Sequence, residues 1–510
     1  MADDITHYDA VEAYCDRLSY SAGDEVHLHT WCATEHYDVA VARWGADGPG
    51  APVWSVTGLA GAQHHTPDTA DASGCGWPVA VSIPVDASWR SGVYLVTLRA
   101  HGAVHERATG YAMFVIRAAT RASSTLLVIA TNTYNAYNNW GGRSLYTGGH
   151  QVSFDRPFGR GLLVRPLVDN VDRKSPVTAP GADPDIDGAA YQDYRWANGY
   201  PGYMSSSGWH TYERRFVEWA EGLGVDLDYA VSSDLEHRPS VVHGYRLVVG
   251  AGHDEYWSAA QRDTVERFVA DGGNYASFSG NTMFWQVRLS RGGRDMTAYK
   301  YSAHRNDPVL GTDRADTMSG MWCDPIVGRP EWWFLGAGSA FGLYSRFGNS
   351  TPRASGGFTV YRDTHWLFEG TGLRYGDQLG AALGAVGYET VGCRLGLDEF
   401  GLPISVNPDR PPDIEVVAFA PSSNLGAGDY PASVAASSEQ CDLEFVASRL
   451  YGDESPESLA RVRHGNAVML TCRPSSAGTV VTIGSTDWVY ALADPAVSRV
   501  TLNVLERLSR

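Results

Sequence analysis

The chain has 510 residues and a formal net charge of −18, from 40 basic and 58 acidic residues. Hydrophobic residues make up 44% and charged residues 19%, a globular balance that excludes a wholly disordered chain. At roughly 100–200 residues per domain, the length predicts two to four domains. The acidic balance argues against nucleic acid and anionic membrane surfaces as partners, because both attract basic proteins.

The sequence carries no visible targeting or membrane signal. The start MADDITHYDA lacks a basic and an apolar region, and no stretch approaches about 18 apolar residues, so we expect a cytoplasmic protein. The seven cysteines are scattered and never form a CxxC pair, which disfavours a disulfide scaffold or a structural zinc site. Only Lys174 and Lys300 are lysines, so these positions are candidates for a role that arginine cannot fill.

Residues 1–118 have the pattern of short β-strands. Apolar and polar residues alternate in several segments that are separated by Gly, Asp and Ser clusters. These segments are 25–30, 39–42, 79–83, 93–98 and 111–116. Their spacing predicts an N-terminal β-sandwich domain over 1–118.

From residue 125 onward, strands alternate with helices. The apolar run 126–130 indicates a strand that is covered on both faces. Further strands are expected at 225–229, 245–250, 274–279, 467–471 and 478–483, and helices at 212–223, 258–270 and 495–508. The alternation predicts an α/β core with a parallel sheet.

We divide this part of the chain in two. The catalytic core is expected over 119–440, with a long loop at 169–187 and an inserted Gly- and aromatic-rich region at 300–440. A C-terminal segment, 441–510, is expected to pack back on the core.

Polar loops follow three of the predicted strands, at 131–142, 253–257 and 280–281. Ligands of open α/β sheets bind beyond the carboxyl ends of the strands, so these loops should face one crevice. His253 and Glu255 are candidates for metal ligands or an acid/base pair, or for a hydrogen-bonded loop pair. Asp254 is equally suited to capping the helix that follows.

Several kinds of catalytic machinery are missing from the sequence. It has no G-x-S-x-G elbow, phosphate-binding loop, H-E-x-x-H zinc helix or deaminase signature. No cysteine follows a core strand. Activation of water by a metal or a carboxylate is therefore the better hypothesis.

Four stretches carry a family resemblance. They are T-N-T-Y-N-A-Y-N-N-W-G-G-R-S-L-Y, G-H-D-E-Y-W-S, S-G-N-T-M-F-W-Q-V-R and G-S-T-D-W. Over about residues 125–510 the chain resembles the large (beta) subunit of N,N-dimethylformamidase. The resemblance implies a mononuclear Fe(III) ion, held by two tyrosinates and a glutamate, that hydrolyses a small or N-substituted amide. The core also looks distantly like glutamine amidotransferase domains.

The same resemblance implies metal ligands in this chain. The glutamate is Glu255, and the first tyrosine is Tyr137, with Tyr134 as the alternative. The second tyrosine is expected before the helix at 212–223, and Tyr200 is our choice. The other tyrosines available there are Tyr191, Tyr194 and Tyr203. Zinc or manganese would accept a similar ligand set.

Four further residues match polar positions of the family's active site: His253, Asn281, Lys300 and Glu389. Glu389 or His253 would protonate the departing amine. Lys300 and Asn281 would stabilise developing charge or orient carboxylates, with Lys300 paired mainly to Glu389.

The resemblance also indicates partners for the chain, and two other functions are alternatives to it. The expected partner is a small-molecule amide, and a homodimer or a separate small subunit is compatible with the resemblance. One alternative is a non-catalytic or glycan-binding module on a degenerate amidohydrolase scaffold. Another is an amidotransferase-like enzyme, which would need a cysteine at a strand end.

Overall fold

The computed structural model describes residues 7–104, 107–168, 173–175, 191, 193–347, 355–429 and 442–510. The loop predicted at 169–187 therefore lies outside the described residues, except for 173–175. Within the described part, no helix has the length and apolar character needed to cross a membrane.

The N-terminal part forms two sheets that share one core. Val26 and Leu28 from the first sheet pack in the same apolar cluster as Val96 and Phe114 from the second. The strands are β1 (Val11–Cys15), β2 (Ser19–Tyr20), β3 (Glu25–Cys32), β4 (His36–Gly45), β5 (Gly48–Pro49), β6 (Trp54–Ala60), β7 (Val79–Pro84), β8 (Gly92–Ala100) and β9 (Thr109–Ile116). One sheet has the order β1-β3-β7, and the other β2-β9-β8-β4-β5, with β6 beside β4. The pairing is antiparallel except between β2 and β9.

The main sheet of the remaining described residues has nine strands in the order β12-β10-β13-β15-β24-β23-β22-β18-β19. Two smaller sheets have the orders β11-β17-β16-β14 and β20-β21. The strands of this part are β10 (Thr125–Ile129), β11 (Gln151–Ser153), β12 (Asp228–Val231), β13 (Leu247–His253), β14 (Tyr256–Ser258), β15 (Asn274–Gly280), β16 (Trp285–Ser290), β17 (Asp295–Thr297), β18 (Phe358–Val360), β19 (Gln378–Leu379), β20 (Leu395–Leu397), β21 (Pro403–Ser405), β22 (Glu415–Ser423), β23 (His464–Cys472) and β24 (Val480–Ile483).

Only half of this sheet is parallel. The pairs that join β12, β10, β13, β15 and β24 are parallel, as the sequence predicts. From β24 to β19 every pair is antiparallel. The antiparallel half was not predicted, because three of its strands lie in the Gly- and aromatic-rich region, where strand patterns are short.

Helices lie on both faces of this sheet, and the described part of the chain has ten of them. They are α1 (Ala70–Ser73), α2 (Thr131–Tyr137), α3 (Glu213–Gly222), α4 (Ser232–His237), α5 (Ala259–Ala270), α6 (Ala303–Asn306), α7 (Trp332–Leu335), α8 (Asp442–Tyr451), α9 (Pro456–Arg463) and α10 (Pro495–Leu508). Leu127 packs with Phe216 of α3, whereas its neighbour Leu126 packs with Val265 of α5. Because adjacent side chains of a strand point to opposite faces, β10 must be apolar throughout.

The loops after β10, β13 and β15 lie side by side, because these strands are parallel neighbours. The prediction that they share one edge is confirmed. Asp254 does not cap α5, however. Ser258 accepts a hydrogen bond from the Gln261 N–H, and the Gln261 side chain returns to the Ser258 N–H. This capping box leaves Asp254 in the loop.

Glu213, the first residue of α3, makes stability depend on pH. Its buried carboxyl accepts a hydrogen bond from the Ala130 N–H, and burial raises its pKa from 4.5 to about 8. At pH values between 4.5 and about 8, Glu213 therefore keeps its proton in the folded state but has lost it in the unfolded state. We expect the free energy of unfolding to fall, by up to about 1.4 kcal/mol per pH unit, as the pH rises through this window.

Urea denaturation between pH 5 and 9 measures this effect. Glu213→Gln removes the titrating group but keeps the shape of the side chain. The free energy of unfolding of the variant should therefore fall less than that of the native protein over the same pH range. Parallel pH curves for the native protein and the variant would show that Glu213 is not responsible.

Candidate active site

Glu255 is the centre of a buried cluster at this sheet edge. Its carboxylate accepts hydrogen bonds from the Tyr137 hydroxyl at 2.9 Å and from Trp285 Nε1 at 2.7 Å. The Tyr146 hydroxyl lies 2.9 and 3.0 Å from its two oxygens and 2.7 Å from the Tyr137 hydroxyl. Tyr256 in turn donates to Tyr146 at 2.8 Å. The Glu255 carboxylate thus binds two phenol hydroxyls directly and is linked to a third, that of Tyr256, through Tyr146.

Short elements after the strands hold this cluster. Tyr137 ends α2, which begins where β10 ends. Glu255 follows β13, and its N–H donates to the Thr133 hydroxyl of α2 at 3.0 Å. The Trp285 N–H donates to the Glu255 carbonyl at 3.0 Å, which places the indole beside the carboxylate. The motifs that carry the resemblance therefore meet in space.

His253 connects Glu255 with Glu389. Its Nδ1 lies 2.6 Å from the main-chain carbonyl oxygen of Ser206, which can only accept, so Nδ1 carries the proton of that bond. Its Nε2 lies 2.7 Å from Glu389 Oε2 and 3.3 Å from Glu255 Oε2. The ring is thus fixed with Nε2 facing both carboxylates.

Glu389 reaches the site because Gly280 lets its main chain approach. A Cβ on Gly280 would lie 2.0 Å from the Glu389 carbonyl oxygen and 2.4 Å from the Thr486 nitrogen. The next residue, Asn281, has a left-handed φ of 47° and donates from Nδ2 to Glu389 Oε2 at 2.9 Å. Its Oδ1 accepts from the Ser339 hydroxyl at 2.6 Å. The S-G-N and S-T-D motifs thus position Glu389 together.

Lys300 covers the tyrosine side of the cluster. Its Nζ lies 3.0 Å from the centre of the Tyr146 ring and, within the described residues, has no hydrogen-bond acceptor. The pairing with Glu389 that we expected is therefore not a direct contact. Lys300 also has a left-handed φ of 50°, a strained conformation for a lysine.

Tyr203 extends the aromatic cluster toward the second lysine. Its ring centre lies 5.1 Å from that of Tyr146 and 6.0 Å from that of Tyr137. Lys174 Nζ lies 5.4 Å from the Tyr203 ring centre. The two lysines of the sequence therefore each lie over a tyrosine of the same cluster.

The electrostatics of the cluster follow from burial and close charges. Burial alone would lower the pKa of His253, but Glu389 and Glu255 raise it well above its usual value. Burial raises the pKa of Glu389, whereas His253 and Lys300 hold that of Glu255 below its ordinary value against the effect of burial. Burial lowers the pKa of Lys300 to about 7, although Glu255, Asp442 and Glu389 oppose this. The pKa shifts of His253 and Glu389 therefore both favour the protonated form of these groups.

The structure brings together six of the seven residues chosen from the sequence: Tyr137, His253, Glu255, Asn281, Lys300 and Glu389. Tyr200 packs elsewhere, with Tyr191, Tyr194 and Met204, and none of its contacts within the described residues reaches Glu255.

Sequence reasoning did not assign Tyr146, Tyr256, Trp285 and Lys174 to the site. The first three stand inside the family motifs, where Tyr146 is the last letter of G-G-R-S-L-Y. Lys174 stands out in the sequence as one of two lysines, but no motif assigns it to the site.

The cluster suits a metal ion. One donor atom each from His253, Glu255 and Glu389 lies within 4.8 Å of the others. The hydroxyls of Tyr137 and Tyr146, which contact the Glu255 carboxylate, add two hard oxygen donors. Anionic oxygen ligands suit a hard, highly charged cation, and imidazole suits iron, zinc and manganese.

Comparisons with known proteins identify the family of the chain. A family model described as N,N-dimethylformamidase beta subunit-like, C-terminal, matches residues 38–500. The match begins inside β4, so it includes part of the N-terminal sheets, well before residue 125, where we expected the resemblance to begin.

Two relatives are named N,N-dimethylformamidase beta subunit. The one from Alcaligenes sp is 26% identical over 231 residues, which are 42% of this chain and 28% of the relative. The one from Paracoccus aminophilus is 32% identical over 74 residues, 14% of this chain and 10% of the relative. The chain thus aligns with at most 28% of the length of these relatives. Since the family model matches most of the chain, the protein belongs to the N,N-dimethylformamidase beta subunit-like family.

Proposed function

We propose that the chain hydrolyses a small or N-substituted amide at a mononuclear Fe(III) site. The observation that carries this proposal is the convergence of two phenol hydroxyls on the buried carboxylate of Glu255. Tyr137, Tyr146 and Glu255 would hold the ion as three anionic oxygen ligands. The bound ion would polarise the amide carbonyl and lower the pKa of bound water.

The residues around this centre move and hold a proton. An amide nitrogen leaves only after it is protonated, and the His253–Glu389 pair holds a proton at neutral pH. The Ser206 carbonyl fixes the His253 ring, and Asn281 fixes the Glu389 carboxylate. Lys300 places a positive charge beside Glu255, where it stabilises negative charge that develops during the reaction.

Tyr146 takes the place of the second tyrosine in this proposal. Its hydroxyl contacts both Glu255 and Tyr137, whereas Tyr203 contributes its ring to the same cluster. Tyr200, our choice from the sequence, has no contact with the cluster among the described residues.

The relatives are named as beta subunits, which suggests that this chain also works with a companion chain. We propose a separate small subunit as that partner and a small-molecule amide as the substrate.

A visible absorption spectrum with metal analysis of the purified protein tests the proposal. Tyrosinate bound to Fe(III) gives a charge-transfer band, which zinc cannot give. We expect about one iron per chain and a band that Tyr137→Phe and Tyr146→Phe weaken strongly. Tyr203→Phe, at the matched neighbouring ring, should retain the band.

Other outcomes separate the alternatives. One zinc or manganese per chain without a band would refute the tyrosinate–iron site. A colourless protein that takes up no metal after iron reconstitution would refute the metal mechanism, and glycan binding by that protein would favour the non-catalytic module.

A further inference from the structure

Lys174 is held rigidly by its two neighbours. The Arg173 guanidinium pairs with the Asp487 carboxylate at 2.6 Å, and it also donates to two main-chain carbonyls. On the other side, Arg346 donates to the Ser175 carbonyl at 2.8 Å. The main chain of residues 173–175 therefore has anchors on both sides of Lys174, which fix where its side chain begins.

These anchors hold residues 173–175 against the segment of chain that leads to Glu389. A Cβ on Gly387 would lie 2.9 Å from both Ser175 Cβ and Asp487 Oδ2, so residues 173–175 pack directly on the chain two residues before Glu389. The charge of Glu389 raises the pKa of Lys174, and burial, the larger effect, lowers it to about 8. Lys174 is therefore mainly protonated at neutral pH and within the field of Glu389.

Among the residues that the structure describes, aromatic rings and not a carboxylate surround the Lys174 ammonium. Its Nζ lies over the rings of Tyr203, Tyr191 and Phe347, at 5.4, 5.6 and 5.9 Å from their centres. Among the described residues, no hydrogen-bond acceptor or carboxylate contacts it. By contrast, the buried Arg156 donates to three main-chain carbonyls. An ammonium with three donors and aromatic walls favours an anionic acceptor.

We propose that Lys174 binds a carboxylate on the amine part of the substrate, so that the substrates are N-acylated amino acids. This inference rests on the proposed function. The leaving amine is placed beside Glu389 Oε2 and His253 Nε2, which lie 2.7 Å apart. Lys174 Nζ lies over the ring of Phe347, and that ring packs on Tyr388, the residue before Glu389, with 5.8 Å between the ring centres. In the reaction, water adds to the acyl carbon and the C–N bond breaks. The nitrogen takes a proton, giving a carboxylic acid and an amino acid.

Binding of non-hydrolysable analogues tests this inference without turnover. N-Methylsulfonylsarcosine carries the carboxylate, and N-isobutyl-N-methylmethanesulfonamide is its neutral counterpart of similar shape. By calorimetry, the metal-loaded native protein should bind the acid at least about tenfold more tightly, as a charged hydrogen bond predicts. Lys174→Met should abolish that preference, and Lys174→Arg should retain part of it.

Equal affinity of the native protein for the two analogues, or a preference that survives in Lys174→Met, would overturn the inference. The thermal midpoint and metal content of each variant show whether it is folded and loaded.

Turnover separates this inference from the proposed function. The ratio of kcat/KM for N-formylsarcosine to that for N-isobutyl-N-methylformamide should exceed about ten in the native protein and fall in Lys174→Met. Hydrolysis of both amides at a similar ratio in both proteins would leave the hydrolase intact and refute the role of Lys174. If neither amide is hydrolysed, the function proposed for these substrates fails, and the binding comparison decides the inference by itself.

Discussion

Glu255→Gln is expected to remove the metal, the visible band and nearly all activity. The substitution keeps the volume of the side chain but replaces the charged carboxylate that gathers Tyr137, Tyr146 and Trp285. It also places an amide nitrogen among groups that donate hydrogen bonds. A bound metal contributes several kcal/mol of charge stabilisation, so kcat/KM should fall by about a thousandfold or more.

Metal analysis, absorption and steady-state kinetics on the same preparation measure this effect. Glu213→Gln is the matched control, because it makes the same change at another fully buried glutamate that lies outside the cluster. The control should keep its metal and activity. A Glu255→Gln protein that retains one metal ion per chain and the band would exclude Glu255 as a ligand.

The site was predictable where its residues directly follow strands. His253, Glu255 and Asn281 lie at the ends of apolar runs, and parallel neighbours deliver such ends to one edge. Glu389 and Lys300 lie in the Gly- and aromatic-rich region, where only the resemblance places them in the site, although Lys300 is also one of just two lysines. Their positions depend on contacts such as that of Gly280 with Glu389, which no local pattern encodes.

The choice of the second tyrosine shows what sequence order leaves open at this site. Tyr200 was preferred because the family ligand was expected before the helix at 212–223, and four tyrosines stand there. The fold turns the chain after α2 and brings Tyr146, nine residues after Tyr137, to the same carboxylate, which is why we propose Tyr146 as the second ligand. Side-chain direction after a turn depends on tertiary packing, not on periodicity.

The mixed sheet has a similar origin. A parallel strand that is buried on both faces reads as a continuous apolar run, as β10 does. The strands β18 and β19 have three and two residues, too short for either alternation or a run to be visible. Half of the sheet could therefore be predicted from sequence, and the rest follows from pairing with β22 and β23.

The second large effect is expected from Glu389→Gln. This change keeps an oxygen for the Asn281 amide but removes the charge that raises the pKa of His253. The pair then holds its proton less well at neutral pH, and the leaving nitrogen loses its donor. General acid catalysis contributes about 10²–10⁴-fold, so kcat should fall by that order with little change in KM.

The readouts distinguish this loss from damage to the metal site. Metal content and the visible band should remain at native levels in Glu389→Gln, unlike in Glu255→Gln, because the carboxylate of Glu255 keeps its contacts with Tyr137 and Tyr146. His253→Gln should lower kcat to a similar extent. The double variant should have about the same kcat as the less active single variant, because the two residues act as a unit. If Glu389→Gln lost its metal, Glu389 would be a ligand, as its position in the His253, Glu255 and Glu389 group allows. The proton would then have to come from a different residue.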